Sequence, residues 1–591
     1  MNIVARLRLA AIEAVKRVYA VEVSEQAVLI NETKPEFEGD FTIVTFALSK
    51  ALGKRPDEIA QDLGADLVAH NTWISAFGIV KGFLNLVIDT AYFVGYLSAE
   101  AKNTERGQLA NTGKKVMVEF SSPNTNKPLH FGHLRNNFLG DSVSRILKAA
   151  GNQVVKANLI NDRGIHICKS MVAWKQFAQG ETPASSGKKG DHLVGDYYVR
   201  YNEEYKNQVK QLVAEGMAET DAEKQAPILL EAQALLRLWE AGDADTIALW
   251  KTMNGWVYDG FHATYNRLGI DFDTMYYESN TYLLGKDIVL KGLEKGVLFQ
   301  KEDASVWIDL TADGLDQKLL LRGDGTSVYI TQDIGTAVLK YNEHHTDTSV
   351  YVIGDEQNYH MQVLKLILEK MGEPCAPGVF HLSYGMVELP SGRMKSREGT
   401  VVDADDMIDD MLAMAKKNTE ELGKVDHFTE EEKTRLYETL GLGALKFYLL
   451  RVDPKKKMVF NPQESIDFQG YTGPFVQYAH ARTCSILRKA EGLTTVDFSN
   501  YVPDAEEKNM VKKLAQYEMV LQDAATEYNP ALLCQYLHQA SKEFNSLLTN
   551  HSILKAETPE AMSFRLALCI TLQRTLAQGL YLLGITAPER M

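Results

Sequence analysis

Cysteine is scarce in this chain. Its five residues, Cys168, Cys375, Cys484, Cys534 and Cys569, include no CxxC pair and no histidine pairing at zinc-ligand spacing. That argues against a disulfide framework or a structural zinc site and makes a reducing cytoplasm the simplest compartment. Long apolar runs are also missing: no stretch reaches the roughly 18 residues that a membrane span needs. The N-terminus carries a helical stripe (Val4, Leu7, Ala11, Val15, Val18, Tyr19) broken by Arg6, Arg8, Glu13, Lys16 and Arg17, so it lacks the unbroken core of a secretory signal. Positive charge is in the minority, with 63 Lys+Arg against 78 Asp+Glu and a net charge of −15. A protein that coats nucleic acid through bulk charge is disfavoured, although local basic patches remain open. No tandem repeat or low-complexity tract is visible.

What is present is the balance of a globular enzyme: 591 residues, 45% hydrophobic and 24% charged. At roughly 100 to 200 residues per domain this makes about three to five units. Residues 1–112 alternate helical and strand-like patches, include a β-rich run at Ile79–Ile88, and close in a polar stretch. A short strand at Val116–Phe120, a loop, a helix through LRNNFLGDSVSRILKAAG and a second strand at Val154–Ile160 form a βαβ unit, whose natural home is a parallel sheet. Leu134, Phe138, Val143, Ile146 and Leu147 give that helix its apolar face, and Gly151 stands as its stop. Residues 180–270 read as inserted helices. Strand patterns return at SVWIDL, SVYITQD and SVYVIG, and from about 430 onward the pattern is nearly all helical. The boundaries expected are 1–112, 113–440 and 441–591.

Two loops carry chemistry. The first, Pro123–His133, follows a strand and opens a helix, where backbone N–H groups and the helix dipole favour phosphate. His130 and His133 lie on one face of the first turn, and Gly132 between them lets a flat adenine or ribose approach. Imidazoles so placed can donate to phosphoryl oxygens, or can simply cap and pack. The second loop, Leu389–Val402, is basic and punctuated by glycine, and it can bend over a triphosphate.

PNTNKPLHFGH resembles the HIGH signature, and GRMKSR the KMSKS-like loop, of class I aminoacyl-tRNA synthetases. The blocks DGTSVYITQD, GDEQNYH and GPFVQYAHAR, with Gly39-Asp40-Phe41, Lys81-Gly82-Phe83-Leu84-Asn85 and the terminal APERM, are similar to arginyl-tRNA synthetases over essentially the whole chain. The resemblance implies an α/β fold: a Rossmann-type catalytic domain with the insertion at 180–270 and the KMSKS-like loop at about 391–400. An N-terminal α+β domain facing the D-loop side of tRNA would precede it, and an all-α anticodon-binding domain would follow. It implies activation of L-arginine by ATP, with Mg²⁺ as counter-ion and no structural metal, and transfer to a tRNA specific for arginine by a cytoplasmic monomer away from any membrane.

The same resemblance implies residue roles. Asp333, Tyr329 and Glu278 would hold the guanidinium; Ser122, Asn124, His133 and Gln357 would hold the amino and carboxylate groups. His130, Gly132, His133 and Lys395 would bind ATP. Against the full signature Arg393 stands at the first lysine, Lys395 at the first serine and Ser396 at the second lysine, with the register open by one residue. Lys127, just before the HIGH block, would share the phosphate role with Lys395. Phe83 and Asn85 would meet the D-loop side of tRNA. Tyr471, Gln477, Tyr478, Ala479 and Arg482 would meet the anticodon, and Lys455–Lys457 could track phosphates. The competing readings are another class I synthetase, a small-molecule nucleotidyltransferase built on the same HxGH loop, and an inactive tRNA-binding paralogue.

Overall fold

The computed structural model describes every residue except 1–2, 35, 389, 391–401, 422 and 424–427. The expected basic loop at 391–400, with Lys395, lies outside the described residues. Helix Ile3–Tyr19 buries Leu7, Ala11 and Val15, as its stripe predicts, and packs on helix Pro56–His70. Beside them an antiparallel sheet runs Ile30–Glu32, Phe41–Val44, Phe83–Ile88, Ile74–Val80 in spatial order. The β-rich run Ile79–Ile88 is therefore not one strand but the tip of a hairpin. Lys81 (φ 49°) and Gly82 (φ 79°) form its two-residue turn, with the positive φ pair that matches the twist of paired strands.

The central sheet is all parallel, in spatial order Val379–Tyr384, Thr348–Gly354, Lys115–Glu119, Gln153–Ile160 and Thr274–Tyr277. The order reverses beside Lys115–Glu119, and a doubly wound sheet opens its ligand crevice at the carboxyl ends of the strands there. SVYITQD, expected as a strand, is instead the start of helix Tyr329–His344. Its β-branched residues suit a strand, but Ile330, Ile334 and Ala337 recur at helical spacing and are buried, so packing overrides propensity. The expected insertion is seen as the helices Gly190–Ala214, Pro227–Glu240 and Ala244–Leu268. The boundary expected at 440/441 cannot stand, because helix Glu430–Leu450 runs through it unbroken. The C-terminal bundle comprises Gly473–Lys489, Ala505–Ala515, Tyr517–Thr526, Pro530–Asn550 and Pro559–Leu582. All five cysteines are buried and unpaired. Among the described residues no helix is long and apolar enough to cross a membrane.

Helix Phe131–Ala149 joins the sheet to the bundle. Its expected apolar face is buried, but so are Arg135, Asn136, Asn137, Asp141, Ser142 and Ser144. Gly140 permits close packing under the site: a Cβ there would stand 2.1 Å from Phe120 Cγ. Three of these polar side chains are met from elsewhere in the chain. Asn136 donates to Val352 O at 2.7 Å, and Ser142 donates to Leu582 O at 2.9 Å. Fully buried Arg135 donates to the carbonyls of Gly385, Lys456 (3.0 Å), Asp453 (3.4 Å) and Pro454 (3.3 Å). Replacing it strands those carbonyls, so Arg135→Met should destabilise the protein by on the order of 3 kcal/mol. A chemical-unfolding midpoint equal to that of the parent would show that the carbonyls find other partners.

Candidate active site

The expected ligands Ser122, Asn124, Lys127, Glu278 and Gln357 lie on connections leaving the carboxyl edge of the sheet or on the turns they open. His130, Gly132 and His133 stand at the head of the helix that the first of these opens, and Tyr329 and Asp333 on the helix that follows a separate three-stranded antiparallel sheet. After Lys115–Glu119 the chain turns through Ser121 (φ 75°) and Ser122 (φ 44°), left-handed conformations that cost non-glycine residues of order 1–3 kcal/mol each. The turn is over-determined. Ser121 N–H donates to Asn136 Oδ1 at 2.6 Å, Ser122 N–H donates to Asn158 Oδ1 at 3.0 Å, and Ser121 Oγ meets Tyr265 OH at 2.6 Å. Asn124 then pairs in parallel with Asn161, and Thr125 N–H donates to Asn161 O at 3.0 Å. The loop thereby extends the neighbouring strand and leaves the Asn124 side chain exposed.

His130 caps helix Phe131–Ala149. Its Nδ1 accepts the Gly132 N–H at 3.1 Å, and His133 Nδ1 accepts the His130 N–H at 3.0 Å. The two rings lie 3.9 Å apart at 43°. Capping and ligand binding are thus compatible. A nitrogen that accepts from backbone carries no proton, so each ring is the Nε2–H tautomer and keeps one donor free of the cap. Burial, then the positive charge of Lys127, lowers His130 to about 4. Burial, then His130, pushes His133 further down. Both are neutral donors at neutral pH.

The opposite end of the crevice is acidic. Glu278 opens a short helical turn after Thr274–Tyr277, and Asp333 lies on the first turn and a half of Tyr329–His344. Burial raises the Glu278 carboxyl; Arg163 offsets this, while Asp162 and Asp333 add to it. Carboxylates gathered so that one raises another make a cation site. His360 Nε2 stands 2.6 Å from Asp333 Oδ2 and fixes that carboxylate. Asp162 is buried and accepts from Ser279 N–H and Ser279 Oγ, both at 2.7 Å, and from Tyr258 OH at 2.9 Å, which sets the turn carrying Glu278. Tyr329 is 79% exposed at the rim, and Gln357 is exposed at the end of Thr348–Gly354. Below them Glu119 and Lys340 form a buried ion pair, with the ammonium 5.5 Å from the Tyr276 ring centre and 5.3 Å from that of Tyr351. Asp162, Arg163 and His360 escaped the sequence reading. The first two follow a strand's carboxyl end, which was a usable signal; His360 closes the GDEQNYH block, but its partner Asp333 lies on another helix.

The expected tRNA contacts divide. Phe83 is 39% exposed, edge-on to Phe46 at 5.3 Å, and lines a 260 Å³ pocket with Phe37, Lys34 and Lys81. Asn85 forms part of the same lining but is itself buried, accepting from Thr42 Oγ1 at 2.6 Å. Tyr471 lines an open 520 Å³ depression with Arg451, Asn529 and His538. Tyr478 is half-buried, as is Arg482, which donates to Asn545 at 3.0 Å. Lys455–Lys457 are exposed, while Ala479 is fully buried. Gln477 needs correcting: it is fully buried, donating to Thr439 O at 3.0 Å and Thr586 O at 2.9 Å, so it ties the C-terminal segment to the bundle and presents nothing to a ligand.

A parallel doubly wound sheet with a double-histidine helix cap at its switch point suits nucleotidyl transfer, and the catalytic-domain match narrows this to a class I synthetase. The sequence model of the class I (R) tRNA synthetase catalytic domain matches residues 97–461, that of the arginyl-tRNA synthetase N-terminal domain 5–88, and that of the DALR anticodon-binding domain 476–591. The chain is 49% identical over 598 residues to the arginine–tRNA ligase of Bacteroides thetaiotaomicron, covering 100% of both chains. It is 48% identical to that of Porphyromonas gingivalis with the same coverage. Thermus thermophilus arginyl-tRNA synthetase superposes with a TM-score of 0.83 at 27% identity, over 99% of this chain and 100% of that one. The chain belongs to the arginyl-tRNA synthetase family.

A histidine held neutral by folding titrates differently once unfolded. Between about pH 4 and 6.5 the unfolded chain binds the proton that folded His130 refuses, so stability attributable to it is lost as pH falls through that window. His130→Asn should therefore lose about 1 kcal/mol less stability than the parent between pH 7.5 and 5.5. Parallel unfolding curves at the two pH values would place the proton on His130 in the folded state.

Proposed function

We propose that this chain activates L-arginine with ATP to arginyl-adenylate, releasing pyrophosphate. It then transfers the arginyl group to the 3′-terminal ribose of its tRNA, releasing AMP. The observation that carries the amino-acid assignment is the paired acidic end of the crevice. Burial, with Asp162 and Asp333 nearby, disfavours the Glu278 charge, and a guanidinium, planar, permanently protonated and bearing five donors, offers partners to both Glu278 and Asp333. His360 orients Asp333, and Tyr329 closes over the rim. Ser122, Asn124 and Gln357, on the connections after the strands Lys115–Glu119 and Thr348–Gly354, together with His133 of the cap, would hold the amino and carboxylate groups of the same amino acid.

At the other end the phosphates meet the helix N-terminus, the Nε2–H groups of His130 and His133, and the charge of Lys127, with Gly132 leaving room for the nucleoside. Lys395 would complete this set from the loop outside the described residues. Because both histidines are neutral, they stabilise charge by hydrogen bonding without passing a proton. The amino-acid carboxylate attacks the α-phosphorus in line, and positioning supplies most of the rate. Mg²⁺ entering with ATP would neutralise further phosphate charge; phosphate oxygens can ligate it, so the crevice carboxylates remain with the guanidinium. No covalent enzyme intermediate is needed. On this reading Phe83, with Asn85 beneath it, receives a base from the D-loop side of tRNA. The Tyr471 depression, with Tyr478 and Arg482, receives the anticodon. The enzyme acts as a cytoplasmic monomer.

The test is ATP–pyrophosphate exchange with each of the twenty amino acids, with and without tRNA. Exchange should occur with arginine alone and be strongest with tRNA present; exchange with another amino acid would overturn the pocket assignment. Asp333→Asn should raise the KM for arginine by roughly 30-fold or more, since it removes the charged partner that a bound guanidinium would desolvate. An unchanged KM would remove Asp333 from the pocket. Phe83→Ala should weaken tRNA binding by about 1 to 3 kcal/mol, the worth of one stacked base. Equal tRNA affinity in parent and variant would make Phe83 merely a packing residue.

A further inference from the structure

The segment following residue 401 is stitched to the amino end of the His130 helix. Phe131 N–H donates to Val402 O at 2.9 Å, Ala404 N–H donates to Leu129 O at 3.0 Å, and His130 faces Asp403 as an antiparallel bridge. The position of His130 therefore depends on where residues 402–404 sit, and they are held by a charge cluster that the chemistry above does not use. Asp403 caps helix Ala404–Glu421, its Oδ1 accepting from Asp405 N–H at 2.7 Å and Asp406 N–H at 3.4 Å. Its Oδ2 faces His192 Nε2 at 3.2 Å. Asp405 receives Lys189 Nζ at 2.7 Å, with His192 Nε2 at 3.4 Å and Arg267 at 3.9 Å. Thr264 Oγ1 also stands 3.3 Å from its carboxylate. The cations come from the inserted helices: Lys189 and His192 at the start of Gly190–Ala214, Arg267 near the end of Ala244–Leu268.

His192, Asp403 and Asp405 are spaced as three ligands of a divalent cation would be. The Lys189 ammonium on Asp405 already supplies that charge, so the cluster is an ion-pair latch. The ion pairs with Asp403 and Asp405 raise His192 to about 10 against the opposing effect of burial, so it is an imidazolium at neutral pH. A 220 Å³ cavity lined by Lys127, His130, His192, Asp403 and Asp406 opens beside it. Without their cations, Asp403 and Asp405 would put bare negative charge next to the turn that takes a triphosphate.

We propose that His192 is a positioning residue for amino-acid activation: its positive charge, with that of Lys189, holds Asp403 and Asp405 and so fixes residues 402–404 against 129–131. The inference rests on the reading of the His130 turn as the ATP site. In arginine-dependent ATP–pyrophosphate exchange with tRNA present, His192→Ala lowers kcat by roughly tenfold or more while the KM for arginine stays within about twofold, because catalytic geometry is lost and the guanidinium pocket is not. His192→Arg, which returns the charge, recovers most of the rate, and His192→Gln, which returns only a donor, does not. Full activity in His192→Ala, rescue by Gln equal to that by Arg, or a parallel rise in arginine KM would each overturn the latch. The underlying reading is separated by His130→Ala: if that variant retains exchange, the ATP site has been misassigned. If it is inactive while His192→Ala is unimpaired, the latch alone fails.

Discussion

Everything about the site depends on one constraint: helix Phe131–Ala149 is buried over most of its surface, and three of its polar side chains are satisfied by distant parts of the chain. Arg135 gathers the carbonyls around Asp453 and Lys456, Asn136 reaches a central strand, and Ser142 reaches the last helix of the bundle. Each bond is modest alone, but an unmet buried group costs about 1–3 kcal/mol, so these three sets of bonds together favour one position of the helix. Its first turn, which carries both histidines, is thereby placed relative to the sheet and the bundle together. This is how a small-molecule site can be rigid at its base while its loops stay irregular.

The strained turn at Ser121 and Ser122 belongs to the same arrangement. Two consecutive left-handed residues would relax if the backbone N–H groups could find other acceptors, but Asn136 and Asn158 hold them in place. Asn136 thus serves both the strand end and the helix, which couples the amino-acid end of the crevice to the phosphate end. The histidine cap uses similar economy: the nitrogen that satisfies the helix terminus also fixes the tautomer, and the remaining N–H faces no competing choice.

Much of this was legible in the sequence because it is local. The double-histidine turn, the βαβ unit around it, and the spacing of Tyr329 from Asp333 are each written within a dozen residues or a single repeat of strand and helix. What escaped was long-range or ambiguous. SVYITQD has strand composition and helical spacing, and only the packing of Ile330 and Ile334 decides between them. Gln477 sits in a block of tRNA-facing expectation, yet its amide is spent on the C-terminal segment, a partner 109 residues away. His360, Asp162 and the His192 cluster are polar residues whose meaning lies in a neighbour on another element, and no periodicity records that.

The acidic excess, 78 against 63, is compatible with a polyanionic substrate because the charges are not free to act equally. Many carboxylates are already paired: Asp40 with Lys508 and Lys512 where the N-terminal domain meets the bundle, Glu507 with Arg565 inside the bundle, and Asp403 and Asp405 with the inserted helices. A paired carboxylate contributes little at a distance, since its field is cancelled within a few ångströms and screened over about 8 Å at physiological salt. Several cations remain exposed: Lys34 and Lys81 flank Phe83, and Lys455–Lys457 are exposed, whereas Arg451 in the Tyr471 depression is paired with Glu464 at 2.5 Å. Net charge is therefore a poor guide to where a nucleic acid lands. What matters is the residual field after the ion pairs are taken out, and in this chain much of the pairing holds domains together while Lys34 and Lys81 stand exposed beside the Phe83 pocket.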